Sequence, residues 1–331
     1  MTEPSVVTAA VVGAGPVGDI HARALQRHER ARLVAVCGRS SPRAERLARS
    51  LSVTAYLSVD DMLRAEGPDV VCVCTGNKDH TEPTLAALGA GAHVLVEKPM
   101  AFSLEEARAM VQAARSAGTT LGVNFNHRYS PAFARALAFV SEGGLGHLCY
   151  LDMKFAGDLY KDLNDPYCQL IETQGHSFDL LRLFGGPVAE VSASLADPRG
   201  LGVYTSAAVS LAFAGGAVGT LLGSWDSSYD HPHAQVLEVA GTKGRLVVDN
   251  VVDSVRLHRA GSAEYTQWRP NLFDSGARDF WRTIDAHVGA FVDAVVEGGP
   301  APVSGEDGLA ALELTYACIE SFEQGTKVKT T

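Results

Sequence analysis

The sequence predicts an α/β protein in two parts, a doubly wound parallel sheet followed by a C-terminal α/β domain on a large, mostly antiparallel open sheet. Three observations carry this. The chain has 331 residues, too many for one ordinary domain and enough for two with cores of their own. Up to residue 123, short apolar runs alternate with helical stretches. From residue 124 onward, extended segments follow one another with few helices between them.

In the first part, 6–12, 32–37, 69–75, 93–96 and 120–123 read as strands with helices in the gaps. A parallel pair cannot be closed by a tight turn, so this rhythm demands right-handed helical crossovers. In the second part, 148–155, 188–195, 207–213, 217–224, 235–240, 245–251 and 255–259 read as strands, punctuated by Gly215-Gly216 and the turn 241–244. One amphipathic helix is expected near 172–184. Two more close the chain at 279–296 and 306–323, the last with Ser304 as N-cap and Gly325 as its stop. The domains are accordingly 1–123, for dinucleotide binding, and 124–331, for substrate binding and oligomerisation, with the last helix able to pack back on the first domain.

A formal charge of −10 repels phosphate backbones, which argues against a nucleic-acid partner. Six cysteines are scattered through apolar stretches, and most of them read as buried thiols. Cys72 and Cys74 share one strand face, but the second pair that zinc spacing requires is missing. The first five residues lack a basic leader region and no apolar run is long enough to span a bilayer, so a cytoplasmic protein without a membrane partner is expected.

The most informative motif is Gly13-Ala-Gly15-Pro16-Val17-Gly18, which follows the strand 6–12 directly and opens a helix over 19–29. This is the Rossmann GxGxxG context. Gly13 permits a tight turn, Gly15 lets a pyrophosphate approach the backbone, and Gly18 lets helix and strand pack closely. Pro16 fits the first helical turn, whose N–H groups face the phosphates. The cofactor expected is therefore a nicotinamide dinucleotide. An acidic residue about 20 positions further on usually binds the adenosine ribose. Here that place reads Cys37-Gly38-Arg39-Ser40. With no carboxylate there, Arg39 and Ser40, with Arg43 nearby, favour NADP by gripping its 2′-phosphate; if Arg39 only stacks on adenine or lies on the surface, NAD remains usable.

Further along, Glu97-Lys98-Pro99 ends the strand 93–96. Together with Thr75-Gly76-Asn77-Lys78-Asp79-His80, Asn126-His127-Arg128-Tyr129-Ser130-Pro131, Glu172-Thr-Gln-Gly-His176-Ser-Phe-Asp179, the run 307–314 and the tail 321–328, it makes the chain similar, nearly end to end, to the Gfo/Idh/MocA family, named for glucose-fructose oxidoreductase, inositol dehydrogenase and rhizopine catabolism. The resemblance implies hydride transfer between NAD(P) and a secondary alcohol or ketone on a sugar, cyclitol or similar polyol. It also implies a homodimer or homotetramer joined through the open sheet, and no metal. It assigns Thr75, Asn77, His80, Glu97, Lys98 and Arg128 to the cofactor side, although Arg128 equally suits an ordinary salt bridge. Lys98 would orient and polarise the substrate oxygen.

Such a reaction needs a group to take the hydroxyl proton. A step of about 100° per residue puts Glu172, His176 and Asp179 on one helix face and Phe178, Leu181 and Phe184 on the other. His176 is the expected acid/base, with the two carboxylates tuning it. Two positions depart from the family. Inositol dehydrogenase-like members usually have aspartate where Glu172 stands, so an inositol substrate is not inferred from this motif; Gly76 replaces a proline common beside the nicotinamide ribose. His231-Pro-His233 has no third ligand nearby and reads as a substrate-facing loop, and the polar stretch 158–169 reads as a cover or a surface connection. The alternatives are a reductase of a nucleotide-linked keto-sugar and a non-catalytic dinucleotide-dependent regulator; intact Lys98 and His176 argue against the latter.

Overall fold

The computed structural model describes residues 6–158, 163 and 165–330, so part of the polar stretch 158–169 lies outside the described residues. The first sheet is built from β1 (Val7–Val12), α1 (Pro16–Arg27), β2 (Ala31–Cys37), α2 (Ser41–Leu51), β3 (Thr54–Tyr56), α3 (Val59–Glu66), β4 (Val70–Val73), α4 (Thr81–Gly89), β5 (His93–Val96), α5 (Leu104–Ala117) and β6 (Leu121–Val123). Its six strands run in the order β3-β2-β1-β4-β5-β6, and every pairing is parallel. The order reverses between β1 and β4, which is the switch point where doubly wound sheets take their ligands. β1, β4 and β5 read as continuous apolar runs because both of their faces are covered by helices.

The second sheet follows α6 (Pro131–Ser141). It comprises β7 (Leu148–Ala156), then α7 (Gly175–Gly185), β8 (Val188–Ala196), β9 (Ser206–Phe213), β10 (Val218–Ser224), β11 (Gln235–Gly241), β12 (Gly244–Asp249), β13 (Ser254–Arg259) and β14 (Tyr265–Trp268). After α8 (Ser275–Arg278), α9 (Arg282–Val296) and α10 (Gly305–Gln324), a short β15 (Val328–Lys329) completes the sheet at its edge. The order is β14-β13-β12-β11-β7-β10-β9-β8-β15, with β10 parallel to β7 and the other pairs antiparallel. Exposed and buried residues alternate along β9 and β10, as they do where a sheet has one packed face. β3, β14 and β15 are two to four residues long, too short for a period to register in sequence.

The amphipathic helix expected near 172–184 is divided. A π-helical turn occupies Gln169–Thr173, and α7 begins only at Gly175. Glu172 thus lies in the π turn, outside the regular 100° step, while His176 and Asp179 both lie in α7. Burial is also not confined to one face, since all residues from Gln169 to Leu181 are buried.

The chain does not divide only once near residue 124. One compact unit comprises residues up to Asn126 together with Trp281–Ala310, and the other comprises His127–Phe280 and Ala311–Thr331. α9 belongs to the first unit because it completes that core: Ile284, Val288, Phe291 and Val292 join Val11, Leu25 and Leu95 in one buried cluster. Among the described residues, no helix is long and apolar enough to cross a membrane. Phe291 is fully buried. Phe291→Ala is therefore expected to cost about 3–5 kcal/mol, read by urea unfolding, whereas a loss below about 1 kcal/mol would show that α9 is not part of this core.

Candidate active site

In the first unit, β1 leads into Gly13, whose φ of +124° suits glycine alone. A Cβ at Gly13 would stand 2.2 Å from the Cys74 carbonyl oxygen, and one at Gly18 would stand 1.8 Å from the Gly13 carbonyl oxygen. At Gly15 nothing lies within 4 Å, so the backbone there is open to an approaching group. α1 starts with Pro16 in its first turn, and its N-cap Gly15 offers no side-chain oxygen. The first-turn N–H groups, among them that of half-buried Val17, are left for a ligand's oxygens. This cradle fits a pyrophosphate.

The Gly13 N–H donates to the Cys37 carbonyl at 2.8 Å, which fixes the end of β2 beside the loop. Arg39 and Ser40 follow there, both exposed. Arg39 does not stand alone: its Nη2 is 2.8 Å from Asp79 Oδ2. The loop after β4 is stitched by Thr75 Oγ1 donating to the Asp79 carbonyl at 2.8 Å, with Asn77 half-buried between them. His80 is buried and its Nδ1 lies 2.7 Å from the Pro99 carbonyl, so it braces the turn after β5. Burial pushes its imidazole pKa down, which favours a neutral ring donating to that carbonyl.

Glu97 gathers contacts from several elements. His21 Nε2 lies 2.7 Å and the Asn124 amide 2.5 Å from its Oε1, while the Lys98 N–H donates to Oε2 at 3.2 Å. Asn124 Oδ1 in turn meets His287 Nδ1, on α9, at 2.8 Å. Burial alone would lower the His21 pKa, but Cys74, Cys72 and Glu97 outweigh it and raise it well above 6.5. Burial would raise the Glu97 carboxyl, yet His21 and Asn124 hold it below its ordinary value. The result is an imidazolium–carboxylate pair whose second oxygen fixes the backbone of Lys98.

In the second unit, Asp179 is almost fully buried and both of its oxygens are taken by Arg128, with Nε to Oδ2 at 2.8 Å and Nη2 to Oδ1. Arg128 thus makes the salt bridge that was one of its two readings. His176 has a neighbour that the helical wheel did not supply. Its ring stacks on that of His127, centroids 3.7 Å apart and 8° from parallel. His127 is itself buried, meets Phe280 edge-on and receives Gln235 Nε2 at 3.2 Å on Nδ1. The π turn holding Glu172 is anchored by Trp225 Nε1 donating to Thr173 Oγ1 at 2.8 Å. His233 meets Asp249 Oδ1 at 2.7 Å.

Sequence reasoning passed over His21, Asn124, His127, Gln235 and His287. His21 had one readable signal: a histidine three residues after Gly18, on the buried side of α1, must find a polar partner.

Two family models match this arrangement of a parallel dinucleotide unit and an antiparallel second sheet. Residues 7–125 match the oxidoreductase family with an NAD-binding Rossmann fold, and residues 133–247 match the GFO/IDH/MocA C-terminal domain. The chain belongs to this family. Among family members, the myo-inositol 2-dehydrogenase of Thermotoga maritima is 29% identical over 96% of this chain and 97% of its own length. The 1,5-anhydro-D-fructose reductase of Ensifer adhaerens is 30% identical over 81% of each chain. The structure of levoglucosan dehydrogenase in complex with NADH and levoglucosan superposes with a TM-score of 0.87 at 22% identity, covering 98% of this chain and 99% of that one, which establishes the shared fold. The protein is thus a Gfo/Idh/MocA oxidoreductase with an NAD(P)-binding Rossmann domain.

In this family member the His21–Glu97 pair links stability to pH. The raised His21 pKa means its contribution is complete below the unfolded value of 6.5 and is lost as pH rises through the folded value. The lowered Glu97 pKa means its contribution is present above the unfolded value of 4.5 and is lost as pH falls through the folded one. Glu97→Gln should cost about 2–3 kcal/mol in the window between, with a penalty that shrinks on the alkaline side. Urea unfolding of both proteins across pH checks this; a penalty independent of pH would remove the charged pair.

Proposed function

We propose that the protein transfers a hydride between a nicotinamide dinucleotide and a secondary alcohol or ketone of a sugar, cyclitol or sugar derivative. The observation that supports this best is the backbone clamp on Lys98, placed at the carboxyl end of the parallel sheet by the Glu97 network. The curated relatives act on inositol and on an anhydro-sugar, which sets the substrate class. When bound, the nicotinamide accepts or returns the hydride.

The Lys98 ammonium orients the substrate oxygen and steadies its developing negative charge. His176 takes the hydroxyl proton in the oxidative direction and returns it in the reductive one, a task suited to an imidazole. Glu172 takes a substrate hydroxyl, and Asp179 acts by holding Arg128. Gly13, Gly15 and Gly18 admit the pyrophosphate. Arg39 and Ser40 take the 2′-phosphate of NADP, the favoured cofactor, with NAD also accepted.

The deciding experiment follows nicotinamide absorbance with sugars, cyclitols and keto-sugars, each tried with NADP and NAD. Turnover on a polyol is expected, and Lys98→Met and His176→Ala should each lower kcat by about 10²–10⁴-fold while dinucleotide binding persists. Unchanged turnover in both variants would remove the catalytic assignment.

The outer face of the second sheet carries exposed Tyr150, Val218 and Leu222 and an open cleft of about 540 Å³ between β8 and β7. A sheet face with such exposed apolar side chains among polar ones is proposed to join copies of the chain into a homodimer or homotetramer. Light scattering is expected to give a dimer or larger; a monomer at working concentration overturns this.

A further inference from the structure

The end of β2 lacks the carboxylate that usually binds the adenosine ribose, yet a carboxylate reaches the same place by another route. Asp79, in the loop after β4, puts Oδ2 2.8 Å from Arg39 Nη2. Its backbone is pinned from both sides: its N–H donates to the Gly76 carbonyl at 2.7 Å, and its carbonyl receives Thr75 Oγ1 at 2.8 Å. Gly76 leaves the room. A Cβ there would stand 3.2 Å from Asp79 Oδ2, tighter than ordinary contact, so a side chain at 76 would press the carboxylate away. The departure at Gly76 and the ion pair at Arg39 are therefore parts of one arrangement. Arg39 is held at its tip by a countercharge while its side chain stays 82% exposed to an incoming ligand.

We propose that Asp79 is a specificity-determining residue that sets the balance between NADP and NAD. A 2′-phosphate must displace the Asp79 carboxylate from the Arg39 guanidinium and bear its repulsion, whereas a ribose hydroxyl need do neither. Asp79 thus weakens the phosphorylated dinucleotide selectively. The proposal rests on the reading of Arg39 as the 2′-phosphate partner.

The test is a fluorescence titration of NADPH and NADH against the full chain and its Asp79→Asn, Arg39→Ala and doubly substituted forms, with no turnover required. Asp79→Asn should tighten NADPH about three- to ten-fold and leave NADH within about two-fold, and the gain should fall below about two-fold when Arg39 is also alanine. Gly76→Ala should shift NADPH in the same direction. If Arg39→Ala weakens NADPH selectively but Asp79→Asn changes neither dinucleotide, or tightens both in parallel, the role of Asp79 is overturned while the Arg39 reading stands. If Arg39→Ala leaves NADPH unchanged, the Arg39 reading itself falls and takes the proposal with it.

Discussion

The first unit depends on a single, largely buried carboxylate. Glu97 is the last point at which β5 is tied to β4, through its N–H and the Val73 carbonyl at 2.9 Å, and its side chain then reaches α1, the end of β6 and the backbone of Lys98. An ionised carboxylate withdrawn from water is tolerable only when its lone pairs are met by donors and a countercharge. His21 supplies the charge, Asn124 and the Lys98 N–H supply the donors, and His287 orients Asn124 from α9. Because each partner comes from a different element, the network holds only when the whole unit has folded. Lys98 consequently owes its backbone position to long-range contacts rather than to the local turn.

The second unit applies the same logic with other chemistry. His176 is supported by a ring face, and the supporting ring of His127 is positioned by Gln235. Gln235 is clamped in turn by Asn250, which donates its N–H to the Gln235 carbonyl at 2.7 Å and accepts the Gln235 N–H on its side chain at 3.1 Å. The same turn forces Asn250 to φ +45° and Val251 to φ +61°, a region costly for a β-branched residue. Such a conformation persists only where surrounding contacts over-determine it. The turn between β12 and β13 therefore bears strain in a place that also fixes the support of His176.

How much of this was legible follows from the range of each interaction. The Rossmann loop was readable because its constraints are local: a strand, three glycines and a helix within a dozen residues. The alternation along β9 and β10 was readable for the same reason. The π turn at Gln169–Thr173 was not, because it carries no period that a 100° wheel can detect. Glu97 stood out as part of Glu-Lys-Pro, but its partners His21 and Asn124 lie 76 and 27 residues away, and nothing local pairs them. Arg39 was legible as a basic residue at the end of β2; its partner across the β4 loop required the fold.

The buried charges separate support from chemistry. Asp179 offers a carboxylate beside a histidine in sequence, which is the pattern of a tuned acid/base pair. In space, each of its two oxygens is bound by the Arg128 fork in bidentate geometry. A group so engaged cannot also exchange protons without breaking a buried ion pair, a loss of several kcal/mol. His176 meets an aromatic face instead, and stacking leaves the edge of an imidazole, where its nitrogens lie, geometrically independent of the contact that holds the ring. Lys98 likewise has its backbone fixed by a hydrogen bond, from its N–H to Glu97 Oε2. In each unit the side chain proposed to react is thus held in part through atoms that the proposed reaction does not use.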